Sequence, residues 1–399
     1  MRRQLGALFL FCVIDTLGFG ILIPLVPYMA DRFGTAPQLI TPVLGSYSLC
    51  QLIAAPLWGR LSDRRGRRPI LMSSLAGACL SYLLLGLAHN TWWLLASRML
   101  AGFMAGNIAA AFAYAADVST PQQRAAALGL IGAALGIGFT LGPPLGGLLA
   151  GGDPAHASFT LPAAVSMATS LLAIALVWRV LPESHAPELR ARPSSARGGA
   201  WQLLRARPQL ARLAGATLSV TYSQAILESI FAIWALHRFG FGPRTVGLLL
   251  LGVALPALVM QGGVVRLLVP RLGETRLAVA GVLVFAAGLV TVGLALTFAA
   301  AVAGLVLCGV GLGAYNPSAS ALASRQAGSD ERGAVMGAYV ASASLARVFG
   351  PFTSGPIYVY LGSAAPFLVG ACVTLPAVAL LRGAAAAGAA TTRQTAPPR

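Results

Sequence analysis

Hydrophobic residues run along this chain in long unbroken blocks, not in the alternation of a half-buried strand. Blocks long enough to cross a bilayer, about 20 residues each, can be drawn twelve times. They fall at 5–29, 41–59, 70–89, 93–116, 124–150, 159–181, 209–236, 245–268, 276–297, 299–323, 333–359 and 364–381. In lipid every backbone polar group needs an internal partner, so such blocks predict helices. The expected fold class is an all-α polytopic membrane protein. The longest polar gap, 182–208, holds Pro182, Pro187, Pro193 and Pro208 among Arg190, Arg192, Arg197, Arg205 and Arg207. That composition predicts a flexible or partly amphipathic linker. A tail without structure is expected over 383–399.

Composition agrees. Of 399 residues, 57% are hydrophobic and only 10% charged, against about 25% charged in a typical soluble domain. The formal charge of +17 comes from arginine, since the chain has no lysine. A nucleic-acid binder would spread its basic residues over a soluble surface. Here they sit in short loops on alternate connections, which reports topology. The connections after spans 2, 4, 6, 8 and 10 carry Arg60 to Arg68, Arg124, the cluster in 190–207, Arg271 with Arg276, and Arg325 with Arg332. The opposite connections carry Arg32, Arg238 and Arg244. Both termini are therefore expected on the cytoplasmic side of an inner membrane. Met1-Arg2-Arg3 and the apolar run after it imitate a signal peptide, but Asp15 interrupts the run and it continues too far. Cys12, Cys50, Cys79, Cys308 and Cys372 lie inside apolar segments with no metal or disulfide spacing. His89, His156, His185 and His237 show no ligand spacing either, so no metal or cofactor is expected.

The two halves repeat. Arg32-Phe33-Gly34 recurs 206 residues later as Arg238-Phe239-Gly240, and Gly66 recurs 207 later as Gly273. Arg124 with Gly129, and Gly142-Pro143, recur 208 later as Arg332 with Gly337, and Gly350-Pro351. One nearly constant offset predicts six helices plus six: an N-terminal bundle at 1–181, the linker 182–208 and a C-terminal bundle at 209–382. Parallel repeats of this kind place a substrate site near the midplane. The second copy of the loop after span 2 has Pro270 where Asp63 would stand, which predicts an asymmetric pair of loops.

Some residues carry candidate chemistry. Asp15 lies mid-span, where a charged aspartate costs about 2.5–3.5 kcal/mol on insertion scales. It must meet a polar cavity, a cation or a proton. Thr217, Thr221, Gln224 and Glu228 recur at four, three and four residues, one face of a helix. Such a stripe should look into protein or water, and a desolvated carboxylate there would gain proton affinity. Arg98 shares a face with Gly102 and Gly106, which allow close helix approach, and could reach Asp15. Arg347 is the comparable cation of the second half and could pair with Glu228. Span 5 carries Gly132, Gly136, Gly138, Gly142, Gly146 and Gly147 with Pro143 and Pro144, a tight helix interface and a place to bend. Tyr47, Gln51, Phe103, Asn107, Tyr114, Tyr222, Trp234 and Asn316, with Gln224, suggest an amphipathic, partly aromatic cavity. Trp92 and Trp93 read as an interfacial belt.

Several of these segments resemble the major facilitator superfamily of secondary transporters. Gly59 to Pro69, with Gly59, Asp63, Arg64, Gly66, Arg67 and Arg68 in place, is similar to its cytoplasmic signature between helices 2 and 3. Arg98 with Gly102 resembles a second signature. Gly142-Pro143-Pro144-Leu145-Gly146-Gly147, preceded by Gly138, resembles the motif associated with exporters. Asp15 through Pro27, ending in Pro24 and Pro27, resembles the first helix of bacterial tetracycline exporters. Leu181-Pro182-Glu183-Ser184-His185 resembles the segment after their sixth. The resemblance implies twelve helices in two pseudo-symmetric bundles. It also implies that Asp63 and its arginines latch the cytoplasmic ends of the bundles, with Asp117 as a partner. Tetracycline exporters use a histidine in helix 8 and an aspartate in helix 9. Here spans 8 and 9 offer Gln261 and Arg266 instead, and Glu228 is similar to a feature of broader multidrug exporters.

These readings converge on a monomeric antiporter that expels amphipathic compounds, cationic ones included, against protons. A small-metabolite symporter, a transporter-like sensor and a membrane-embedded enzyme are the alternatives. An enzyme would need a convergent nucleophile or metal set, and the sequence offers none.

Overall fold

The structure, a computed structural model, describes residues 2–120, 123–184, 200–326 and 332–394. Part of the expected linker, 185–199, and the last five residues of the expected tail lie outside the described residues. The chain begins with α1 (Arg2–Leu22), broken before Pro24, and α2 (Val26–Arg32). Next come α3 (Pro37–Arg65), α4 (Arg67–Gly86), α5 (Thr91–Met104), α6 (Asn107–Asp117), α7 (Arg124–Ala150) and α8 (Thr160–Val180). A short α9 (Ala200–Ala206) leads into α10 (Pro208–Phe239), α11 (Pro243–Leu249) and α12 (Leu251–Val259). A π-helical turn at Met260–Val264 precedes α13 (Val265–Leu272). The chain ends with α14 (Glu274–Gly293), α15 (Phe298–Ser324), α16 (Arg332–Leu361), α17 (Ala365–Thr374) and α18 (Pro376–Gln394).

Local chemistry sets many of these limits. The Asn90 side chain accepts from the Trp93 N–H at 3.0 Å and starts α5, and Thr297 accepts from Ala300 at 3.2 Å to start α15; both satisfy donors that a helix start leaves free. The π turn carries Gln261-Gly262-Gly263, where the looser spiral interrupts the ordinary ladder. Span 4 is likewise broken, between α5 and α6 at Ala105 and Gly106.

Among the described residues, ten helical segments are long and apolar enough to cross a bilayer. Two others, α10 with 32 residues and α16 with 30, measure roughly 48 and 45 Å at 1.5 Å per residue. The stripe Thr217, Thr221, Gln224 and Glu228 makes α10 more polar than its neighbours. α18 continues helically to Gln394, through most of the stretch expected to be an unstructured tail.

The chain forms two compact units. The first holds Met1–Ser194 and also Ala232–Leu251, the last turns of α10 with α11. The second holds Ser195–Phe231 and Gly252–Arg399. In the first unit α1 packs against α7 and α8, α4 packs against α8 and α5, and α11 packs on α7. Leu8, Phe11, Leu71, Leu75, Tyr114, Ile131 and Val177 form its core toward the ends of α1, α4, α6, α7 and α8. In the second unit α14 packs along α15 and against α17 and α18. A smaller cluster joins Met260, Val265, Leu277 and Ala314.

Candidate functional site

The basic loop folds onto its own unit. Arg67 Nη1 donates to Asp63 Oδ1 at 2.6 Å and to Ser62 Oγ at 3.1 Å, and its Nε donates to Asp117 Oδ2 at 3.2 Å. One guanidinium thus ties the end of α3 to the end of α6, and the planar fork of arginine suits two acceptors at once. Arg64 and Arg65 point outward and are exposed, and Gly59 is open on the side where a Cβ would stand.

Glu183 completes this network. Its carboxylate accepts from the Arg67 N–H at 2.8 Å and the Arg68 N–H at 3.3 Å. It therefore caps the N-terminus of α4, where a negative charge is favoured. Gly66 is both the end of α3 and the turn into α4, at φ 104° and ψ 163°. A Cβ there would fall onto the Glu183 carboxylate. Ser184 Oγ donates to Asp117 Oδ2 at 3.3 Å, and Tyr114 donates to the Pro182 carbonyl at 2.9 Å. Nothing in the sequence reading gave Glu183 or Tyr114 a role in this network.

The second half carries the same device with its charges exchanged. Glu274, the first residue of α14, pairs with Arg325 at 2.7 Å. Glu274 stands 207 residues after Arg67, and Arg325 stands 208 after Asp117. An arginine–aspartate pair has become a glutamate–arginine pair at equivalent places, each beside a positive-φ glycine, Gly66 or Gly273. The loss of an acid at Pro270 therefore does not leave the second loop without an ion pair. The repeat offset was the signal that could have found it.

Asp15 is buried in α1 at 9% exposure, and Arg98 in α5 at 3%. No Arg98–Asp15 ion pair is present among the described residues. Arg98 Nε donates to Ser97 Oγ at 3.4 Å, and Nη2 has no hydrogen-bond partner among the described residues. Both charged groups lie within electrostatic reach of Tyr82, a buried side chain of α4, together with Tyr47. Tyr82 is thus a neighbour common to Asp15 and Arg98. Spacing alone missed Tyr82, because it sits among leucines.

Glu228 and Arg347 differ from expectation. Both are exposed, and no ion pair joins them among the described residues. Glu228 Oε1 accepts from Gln224 Nε2 at 2.8 Å, one turn earlier on the stripe. Tyr222 bonds the Thr353 hydroxyl at 2.7 Å, and Thr217 bonds Tyr315 at 2.9 Å. Trp234 is sealed in the structure: it is 1% exposed and packs edge-on against Phe239 at 5.5 Å. Asn316 and Phe103 are exposed, Tyr47 and Gln51 half-buried, and the Asn107 side chain lies outside the described residues. Tyr47 stacks at a tilt on Phe19, 4.7 Å between ring centres.

From Gly138 to Gly147 the glycine face of α7 is closed by α1 and α11, whereas Gly132 and Gly136, expected in the same interface, have open space where a Cβ would stand. A Cβ on Gly138 would stand 2.7 Å from Thr16 Cβ, and one on Gly142 would stand 2.5 Å from Gly20 Cα. Gly146 meets the Ile21 carbonyl, and Gly102 of α5 meets the Tyr47 carbonyl of α3 in the same way. Pro143 and Gly147 lie against Gly247 and Pro243 of α11. The connections after α2, α7 and α10 add Tyr28 donating to the Phe241 carbonyl at 2.7 Å and the Arg244 N–H donating to the Gly151 carbonyl at 3.1 Å. In the exposed loop after α7, a hydrogen bond from His156 holds the Asp153 carboxyl below its ordinary range.

Comparison with known proteins places this geometry. The chain is 31% identical over 382 residues to the class C tetracycline resistance protein of Escherichia coli, covering 93% of this chain and 94% of that one. It is 30% identical over 399 residues to the class G protein of Vibrio anguillarum, covering 96% and 98%. The crystal structure of the human organic anion transporter MFSD10 superposes with a TM-score of 0.72 at 25% identity, covering 95% of this chain and 99% of that one. The family model of the Major Facilitator Superfamily matches residues 8–351 and 213–397. With its transmembrane helices, its arginine loop and these matches, the chain belongs to the Major Facilitator Superfamily and is a membrane transporter.

Proposed function

We propose that this protein is a proton-coupled exporter of amphipathic compounds, cationic drugs included, working by alternating access in the inner membrane. α10 and α16 complete twelve spans in two six-helix bundles, the protein acts as a monomer, and both termini are cytoplasmic. Asp15 and Glu228 exchange protons for substrate. Arg98 tunes Asp15 with Tyr82 as their common neighbour, and exposed Arg347 attracts or repels charge in the second half. The Asp63–Arg67–Asp117 network serves the cytoplasmic gate. Proton entry down about 100 mV supplies about 2.3 kcal/mol per charge. The observation that carries export is the closed glycine face of α7, in a chain alike over nearly its whole length to tetracycline resistance proteins.

The test is substrate-induced proton release from everted vesicles. Loss in Glu228→Gln and in Asp15→Asn is expected. Full proton-driven efflux in both variants refutes the coupling assignment.

A second reading, efflux of an organic anion, is favoured by the buried Arg98, whose Nη2 has no partner among the described residues, and by the likeness to MFSD10. Transport of an anionic dye that is lost in Arg98→Met, with a tetracycline neither carried nor competing, selects this reading over the first.

A further inference from the structure

A groove of about 560 Å³ runs along α4 and α8 from Arg68, at the end of the arginine loop that the proposed function places on the cytoplasmic side. Met72, Ser73 and Ala76 line one wall, Ile174 and Trp178 the other, and Arg68 stands at its mouth. Apart from Arg68 and the Ser73 hydroxyl the lining is apolar, and Ala76, Ser73 and Trp178 are exposed on helices that lie within membrane-spanning segments. Arg68 Nη2 donates to the Trp178 carbonyl at 2.5 Å, the free acceptor at the end of α8, while Nε has no partner among the described residues. Arg179 follows Trp178 in the last turn of α8 and is exposed. The carboxylate of Glu183 accepts from the backbone N–H groups of Arg67 and Arg68.

We propose that this groove binds an anionic phospholipid, with one acyl chain along Met72, Ala76 and Ile174 and its phosphate between Arg68 and Arg179. The groove matches the two ends of such a molecule. An apolar slot at membrane depth accepts a hydrocarbon chain. Two arginines at the headgroup level accept a phosphodiester, which guanidinium binds through paired donors. Trp178 sits where aromatic rings mark the membrane boundary. Basic pockets between transmembrane helices on the cytoplasmic side suit anionic headgroups, and each arginine near the surface favours them about fivefold. Arg64 and Arg65, exposed in the turn just before α4, add attraction for the negative leaflet. Because the Arg68 backbone belongs to the Glu183-capped start of α4, an occupied groove would hold that end of the helix in place.

The full chain, delipidated in mild detergent, is titrated with phosphatidylglycerol, phosphatidylethanolamine of the same acyl chains, and inorganic phosphate. Bound lipid is counted by native mass spectrometry, and the melting temperature is followed in parallel. The expected result is a preference of about tenfold or more for phosphatidylglycerol over phosphatidylethanolamine. That preference falls about fivefold in Arg179→Gln and disappears in Ala76→Trp, which fills the groove without touching a charge. Equal retention of the two lipids in the wild-type chain overturns the proposal. So does a preference that survives in Arg179→Gln, or stabilisation by inorganic phosphate equal to that by the lipid. Should Ala76→Trp fail to fold, Arg179→Gln decides alone.

Discussion

Replacing Gly66 by alanine tests why the arginine loop turns as it does. At φ 104° and ψ 163° the residue occupies backbone space that is nearly glycine-only, and a side chain there costs about 1–3 kcal/mol. The new Cβ would also displace the Glu183 carboxylate from the start of α4. Two charge-assisted hydrogen bonds would then be lost, at 2.8 and 3.3 Å. Such bonds contribute about 1.5–3 kcal/mol each when buried, but Glu183 is half-buried, so the pair together contributes about 1–2 kcal/mol. The expected destabilisation by Gly66→Ala is about 2–5 kcal/mol, read by denaturant unfolding in mixed micelles. In a Glu183→Ala background the carboxylate term is already gone, and the same substitution should cost only the backbone strain. The coupling between the two changes should therefore be about 1–2 kcal/mol. Strict additivity, within the roughly 0.5 kcal/mol typical of independent sites, would show that Glu183 is not what keeps position 66 bare.

Other outcomes follow from the same contacts. Exchanging the second-half pair as Glu274→Arg with Arg325→Glu should restore the transport rate that either single reversal lowers, because the first half carries the device in that polarity; a double variant no better than the singles argues against it. Arg325 is 70% exposed but Glu274 only 10%, so either single reversal should cost more than the roughly 1 kcal/mol of a surface pair, and the double exchange should recover part of it. Gly142→Leu should abolish efflux in vesicles even at normal expression, because Gly20 leaves no room for a side chain. Asp63→Asn should slow the transport cycle and leave equilibrium substrate binding nearly unchanged; a large loss of binding would refute a gating role.

The membrane class, the repeat and the family signatures were legible along the chain because each is a one-dimensional property. Hydrophobic block length must match a bilayer, arginine asymmetry follows topology, and duplication leaves a constant offset. The glycine face of α7 was legible for the same reason, as small residues at helical spacing. What packs on that face was not, and only the fold brings Gly20, Ile21 and Gly247 against it. Burial was the least readable quantity. Glu228 and Trp234 stand six residues apart on one helix, yet the carboxylate is exposed and the indole is sealed, because neighbouring helices cover one side and not the other. Charge partners depended on the same three-dimensional choice. Arg98 lay in reach of Asp15 by spacing, yet it bonds Ser97 and shares Tyr82 as a neighbour. Sequence thus determined what kind of solvent this protein lives in and how many times it was copied. Tertiary structure decided which charges meet, since an ion pair depends on angstroms between helices and not on residues along one.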